Sequence, residues 1–229
     1  MKKRLFFKTM TLVLCLLSAN AVYAAKKKTI IVEPDNATIV VNGNEVGTGS
    51  YVLNFGKNDD LFSIRLEAPG YLPRTFKVLK DNPQNTITFK LDKDDARANS
   101  LGDESEGGEL ANKWFDVTCR EGMSEDVIWK RLMNIAVTNF ENIEVRDKDA
   151  GWIKTGWVVT SFPKQTVRTR LEVRMSFLGE GQISYRVRLE SQIKDADCKG
   201  NSCYEKYDRL LTKYADIVQQ LTTSVGSNI

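Results

Sequence analysis

The clearest pattern in the chain is a strict two-residue alternation near its C-terminal end. Val167, Thr169, Leu171, Val173, Met175 and Phe177 fall on one phase, with Arg168, Arg170, Glu172 and Arg174 on the other. Residues 181–193 repeat the scheme, setting Ile183, Tyr185, Val187 and Leu189 against Arg186, Arg188 and Glu190. Successive side chains of a strand point to opposite faces, so each stretch predicts a strand with one buried and one wet side. Pairing the two through 178–180 as a hairpin would gather the arginines and the two acids on one sheet face.

The same alternation marks a strand at 114–119, where Phe115, Val117 and Cys119 interleave with Trp114, Asp116 and Thr118. The period then changes. Ser124 is placed to cap a helix whose first turn carries Glu125 and Asp126 beside the positive end of the dipole. Ile128, Leu132, Ile135 and Ala136 give that helix one apolar face. Strands are expected at 142–146 and 152–160, and a closing helix from about Cys203. Its Tyr207, Leu210, Leu211, Tyr214, Ile217, Val218 and Leu221 recur at helical spacing. The order over 113–229 is strand, helix, four strands, helix, which predicts an α+β unit: an antiparallel sheet with two helices on one face. In order and length this unit resembles the helix-grip domains found in an outer-membrane barrel-assembly lipoprotein and in many lipid-binding modules.

Residues 25–91 carry only short β-rich runs, at 29–32, 37–41, 51–55, 62–68, 74–79 and 86–91, punctuated by turn clusters such as Pro34-Asp35-Asn36 and Asn42-Gly43-Asn44. This spacing predicts a small all-β sandwich. Ile31-Val32-Glu33-Pro34-Asp35-Asn36-Ala37, Val40-Val41-Asn42-Gly43, Val46-Gly47 and Gly70-Tyr71 resemble the PEGA domain of prokaryotic envelope and surface proteins. Asp35 and Asn36 stand where the signature has Glu and Gly, and Asn tolerates the left-handed backbone that Gly supplies. The resemblance covers about a third of the exported chain and implies a non-catalytic accessory or adhesive module. Between the units, 92–112 hold seven acids against Lys93 and Arg97 and few large apolar residues. Such a stretch buries too little surface to offset backbone ordering, and is expected to be a flexible linker.

The N-terminus alters the charge picture. Lys2, Lys3, Arg4 and Lys8 precede an apolar run at 11–17 and the small-residue site Val22-Tyr23-Ala24, the three parts of a secretory signal. The apolar run is shorter than the ~20 residues that span a bilayer. Leu14 before Cys15 does not suit lipoprotein processing, so soluble export with cleavage after Ala24 is expected, leaving no transmembrane segment. Cleavage at that point takes four of the 33 basic residues and none of the 30 acids, leaving a near-neutral chain. A nucleic-acid partner, which calls for a basic excess, is therefore not expected.

The chain has no His, the commonest general base and transition-metal ligand. No phosphate loop, dinucleotide fingerprint or Gly-x-Ser-x-Gly elbow occurs. Glu172 and Glu190 sit among arginines that keep carboxylates ionised, the opposite of what a general acid needs. No enzyme activity, metal or cofactor is expected. Cys119, Cys198 and Cys203 remain after export. The four-residue loop between Cys198 and Cys203 favours that pair in an oxidising compartment, while a bridge from Cys119 to either stays open.

The candidate binding residues are Arg168, Arg170, Arg174, Arg186 and Arg188, with Trp114 and Trp152 on the polar phase of their strands. Trp157 falls on the apolar phase. Arg is suited to bidentate recognition of carboxylate and phosphate, and exposed Trp is enriched at hot spots. The plain alternative is a solvated face held by cross-strand ion pairs. The expected function is a periplasmic or surface-associated adaptor whose partner is an envelope protein, a glycan or a lipid headgroup. Two other readings are a lipid- or sugar-binding protein with its pocket between sheet and closing helix, and a hydrolase built on a carboxylate pair.

Overall fold

A computed structural model describes residues 26–101, 110–179 and 182–226, with the side chains of 177–179 left out. The expected export signal and residues 102–109 of the acidic stretch lie outside the described residues. The chain divides into two compact units, one ending at Leu91 and the other starting at Asp92. It is mostly β, with three sheets and three helices among the described residues.

The first unit holds β1 (Lys26–Glu33), β2 (Thr38–Val41), β3 (Asn44–Thr48), β4 (Ser50–Phe55), β5 (Leu61–Glu67), β6 (Arg74–Leu79) and β7 (Thr86–Lys90). β1 lies at the centre of a three-stranded sheet, antiparallel to β4 and parallel to β7. The other sheet runs β3-β2-β5-β6, antiparallel throughout. Alternate residues from both sheets, among them Ile30, Val32, Ile39, Leu53, Phe55, Ile64 and Leu66, fill one core. Each such side chain contributes about 1.5–3 kcal/mol of burial. Asn42 and Gly43 both have positive φ, 49° and 86°, the backbone that joins β2 to β3 in a two-residue hairpin.

Lys28 is fully buried on the inward phase of β1, and its Nζ donates to the carbonyls of Asn82 (2.5 Å) and Gln84 (2.9 Å). The ammonium thus anchors the turn before β7. Gly49, between β3 and β4, has φ +68°, and a Cβ there would overlap the Asp35 carbonyl oxygen. Gly49→Ala is expected to lower stability by about 1–3 kcal/mol in urea unfolding, from left-handed strain and the clash together. A loss below a few tenths would show that the turn yields freely.

The second unit contains α1 (Asp95–Ala98), β8 (Trp114–Thr118), α2 (Glu125–Asn139), β9 (Ile143–Asp147), β10 (Trp152–Thr155), β11 (Val158–Ser161), β12 (Gln165–Gly179), β13 (Gln182–Asp195), β14 (Glu205–Lys206) and α3 (Ile217–Val225). The seven strands form one antiparallel sheet in the order β14-β13-β12-β10-β9, with β11 also on β12 and β8 also on β13. The long β12–β13 hairpin is its spine. Ser124 stands at the N-cap of α2 in extended conformation, but its hydroxyl makes no cap bond. Ile128, Trp129, Leu132, Ile135 and Ala136 are the buried face of α2. They meet Ile217, Leu221 and Val225 of α3 and the inward phase of the sheet in one core.

Three expectations are corrected here. Residues 92–101 and 110–112 are not free spacer. Ala96 of α1 is 0 % exposed within the second core, and the Leu101 N–H donates to Leu210 O at 2.8 Å. Ala111 pairs in parallel with Leu189. The Asn112 side chain donates to Tyr207 O at 2.6 Å and accepts from the Ser191 N–H at 3.0 Å. The acids dominate the composition, yet both ends dock on the second unit, α1 against β12 and residues 111–112 against β13.

The closing helix is shorter than expected, beginning at Ile217. Residues 203–216 instead make β14, a bridge from Leu211 to Ser100 and a 3₁₀ turn at Thr212–Tyr214. Tyr207, Leu210, Leu211 and Tyr214 are buried, as a helical face would have been, but the backbone of Tyr207 pairs with Ser191 and that of Leu210 and Leu211 with 100–101. The strand expected at 152–160 is broken: β10 ends at Thr155, and the Gly156 N–H turns to Asn142 O at 2.8 Å.

Candidate functional site

The outward face of the second unit's sheet carries the arginine lattice. Across β12 and β13, Arg168 faces Gln192, Arg170 faces Glu190, Glu172 faces Arg188 and Arg174 faces Arg186. β8 brings Trp114 opposite Arg188 and Asp116 opposite Arg186, and β10 brings Trp152 opposite Arg174. Every one of these positions follows from period-two alternation combined with register, so all candidate residues named from the sequence lie on this face.

Two glutamates organise it. The Glu172 side chain is 1 % exposed, and one of its oxygens accepts from Arg174 Nε (2.8 Å), Arg174 Nη2 (2.5 Å) and Trp152 Nε1 (3.2 Å). The other accepts from Arg188 Nη2 at 2.7 Å. Burial pushes the Glu172 carboxyl up, but hydrogen bonds from Arg188 and Arg174 and their positive charges overcome this, and the net displacement is downward. Glu190 accepts from Nε and Nη2 of Arg170, both at 2.5 Å, and its other oxygen accepts from Arg188. Such charge-assisted, forked bonds are roughly twice as strong as neutral ones. Glu172 is thus held as an ionised structural anion, the reverse of a general acid.

The rings order the guanidiniums further. Trp114 lies under Arg188, Arg186 and Arg174 with centroids at 4.5, 5.7 and 5.8 Å, and Trp152 under Arg174 at 4.9 Å. Each contact adds about 0.5–2 kcal/mol depending on how dry it is. Arg174 and Arg186 nevertheless keep 53 % and 52 % of their side-chain surface open, Arg186 sharing only a loose pair with exposed Asp116 at 3.6 Å.

Residues that the alternation did not place complete the other end. Trp157, expected on the apolar phase, lies instead against Arg170 at 4.2 Å and Arg168 at 4.4 Å, because the break at Gly156 shifts the phase of the following residues. Tyr204 covers Arg168 at 3.8 Å. Arg168 Nε donates to Gln192 Oε1 (2.8 Å) and its Nη1 to Asn201 Oδ1 (3.2 Å). Burial lowers the proton affinity of Arg168; Tyr204 opposes this and the like charge of Arg170 adds to it. Trp157 had a detectable signal in the glycine before it, whereas Tyr204 and Asn201 depend on where the 198–203 loop folds.

That loop is closed by the Cys198–Cys203 disulfide, with Asn201–Cys203 in a 3₁₀ turn leading into β14. The bridge thus braces a corner of the arginine face rather than the entry to a helix. Cys119 is free and buried, and burial pushes its thiol up to about 11, so it is an unreactive core group. Among the described residues no three Cys, Asp or Glu side chains gather to hold a metal.

The space between sheet and helices, where a small ligand would lie, is occupied by side chains. Ile128, Leu132, Ile153, Leu171, Val187 and Leu221 have no surface a water molecule can reach. No described helix is long and apolar enough to cross a membrane. No protein-family model matches this chain and no curated protein matches it.

Proposed function

We propose that this chain is a non-enzymatic binding or adaptor protein of the bacterial cell envelope. Its contact surface is the arginine–aromatic face of the second unit, and its partner there is acidic. One observation carries this reading: five arginines on a single sheet face are held in order by rings and by two buried glutamates, while Arg174 and Arg186 remain half open to solvent. Guanidiniums whose rotamers are already fixed lose less entropy on meeting an anion, so the arrangement favours binding.

Export supports the same reading through the basic start, the short apolar run and the site ending at Ala24. The Cys198–Cys203 bridge is compatible with an oxidising compartment. The PEGA-like signature spread over Ile31–Tyr71 supports an accessory role for the first unit beside a helix-grip-like second unit.

The test uses the full exported chain against polyglutamate, a sulfated glycan and anionic vesicles at low and high salt. Binding to at least one of these is expected, weakening as salt rises and falling about tenfold or more in Arg186→Glu. Arg186 is the apt position because its reversal leaves the buried glutamates with their partners. Binding that ignores both salt and this reversal would sink the proposal, as would no binding at all.

A further inference from the structure

Two facing pairs on the arginine face lack a carboxylate, but Arg174 and Arg186, which face each other, still reach Glu172 and Asp116. Arg170 meets Glu190 and Arg188 meets Glu172, each guanidinium across from a carboxylate. Arg168 meets Gln192, a neutral side chain of the same length as Glu. Among the described residues no carboxylate pairs with Arg168, which donates instead to the amide oxygens of Gln192 and Asn201. Two further cations share this corner. Lys206 pairs in register with Gln192 and so projects from the same face, and Lys194, two residues from Gln192 on β13, lies over Tyr204 at 5.1 Å.

The corner is also built to stay in place. Trp157 and Tyr204 hold the Arg168 guanidinium, and the disulfide-closed loop fixes Asn201 and receives the Lys194 Nζ bond at Cys198 O (2.8 Å). A desolvated cation without a counter-ion is costly to maintain, and the chain's own solution at the two neighbouring arginines is a carboxylate. We propose that Arg168, Lys194 and Lys206 form a carboxylate-binding corner, completed in trans by an acidic side chain of an extended polypeptide partner.

A polypeptide is favoured for two reasons. An extended chain presents same-face side chains every ~6.4–6.8 Å, the repeat of the strands beneath it, so an acid seated at Arg168 keeps a later one in step with half-open Arg174 farther along β12. The indole rings are engaged by guanidiniums, which leaves cations rather than open ring faces to meet the partner.

This inference rests on the arginine face being a contact surface, and the experiment separates the two. The full exported chain is titrated with a synthetic decapeptide of alternating Glu and Ser, with an oligogalacturonate and with phosphatidylglycerol vesicles. The Trp157 indole N–H resonance, assigned by its loss in Trp157→Phe, reports on the corner. The peptide is expected to bind and to shift that resonance. Its affinity should fall at least tenfold in Arg168→Gln and severalfold in the Cys198→Ser/Cys203→Ser double variant, which keeps Arg168 but frees Asn201 and Tyr204. Thermal unfolding of each variant verifies folding, and the double variant carries the test if Arg168→Gln does not fold. Peptide binding weakened by Arg186→Gln but untouched by both corner variants would overturn the corner and leave the face standing. Binding of the uronate or the vesicles, but not the peptide, through Arg168 would overturn the polypeptide assignment. No binding of any probe would remove both.

Discussion

Glu172→Ala is expected to destabilise the second unit by about 3 kcal/mol, the low end of the cost of breaking a buried ion pair, because Arg174 can turn partly to water. The substitution removes the acceptor shared by Arg174, Arg188 and Trp152 and leaves Arg188 beside a cavity with Glu190 as its one remaining carboxylate among the described residues. Glu172→Gln keeps the shape and one acceptor, and should lose less. The two variants separate charge from packing in urea unfolding of the full chain. A loss under 0.5 kcal/mol in Glu172→Ala would mean that the lattice is a solvated surface with no organising anion.

The same carboxylate sets a direction for pH dependence. Its folded pKa lies below the ordinary value of 4.5. Above both values the group is ionised whether folded or unfolded, and its full contribution to stability is present. As pH falls below the ordinary value the unfolded chain takes up the proton first, so the contribution shrinks and is gone once the folded carboxyl also protonates. The stability gap between wild type and Glu172→Gln should therefore be constant near neutrality and close progressively below about pH 4.5. A gap that widens on acidification would show that the folded carboxyl is raised, not lowered.

Ala96→Glu should be at least as damaging, costing about 3 kcal/mol or more through overpacking and the burial of an unpaired carboxyl. Ala96 has no exposed surface, whereas Ala98 on the same short helix is exposed. Ala98→Glu should remain within about 0.5 kcal/mol of wild type. If residues 92–101 were a free acidic spacer, another acid would be silent at either position. Equal, small effects on thermal unfolding at 96 and 98 would restore the spacer reading.

The arginine face was legible because its information is local. Val167 to Met175 and Ile183 to Leu189 alternate with their charged neighbours, and a pleated strand converts that alternation directly into two faces. The helix from Glu125 was equally readable, since Ile128, Leu132, Ile135 and Ala136 recur at its own period. The short loop favoured the Cys198–Cys203 bridge, and the fold settled it by burying Cys119 as a free thiol.

Tertiary structure decided the rest, wherever a residue's partner is remote in sequence. Tyr207 to Tyr214 has helical spacing, but the backbone of Tyr207 bonds to Ser191 and that of Leu210 and Thr212 to Leu101 and Asn99, and those remote bonds outweigh local preference. Ala96 and Asn112 look like parts of a polar spacer until the sheet edge and the 207–211 segment supply somewhere to dock. Trp157, Tyr204, Asn201 and Gln192 meet around Arg168 only because a break at Gly156 and a closed loop bring three separate stretches to one corner. Period and composition specify which side of an element is wet; long-range hydrogen bonds and register specify which wet groups become neighbours.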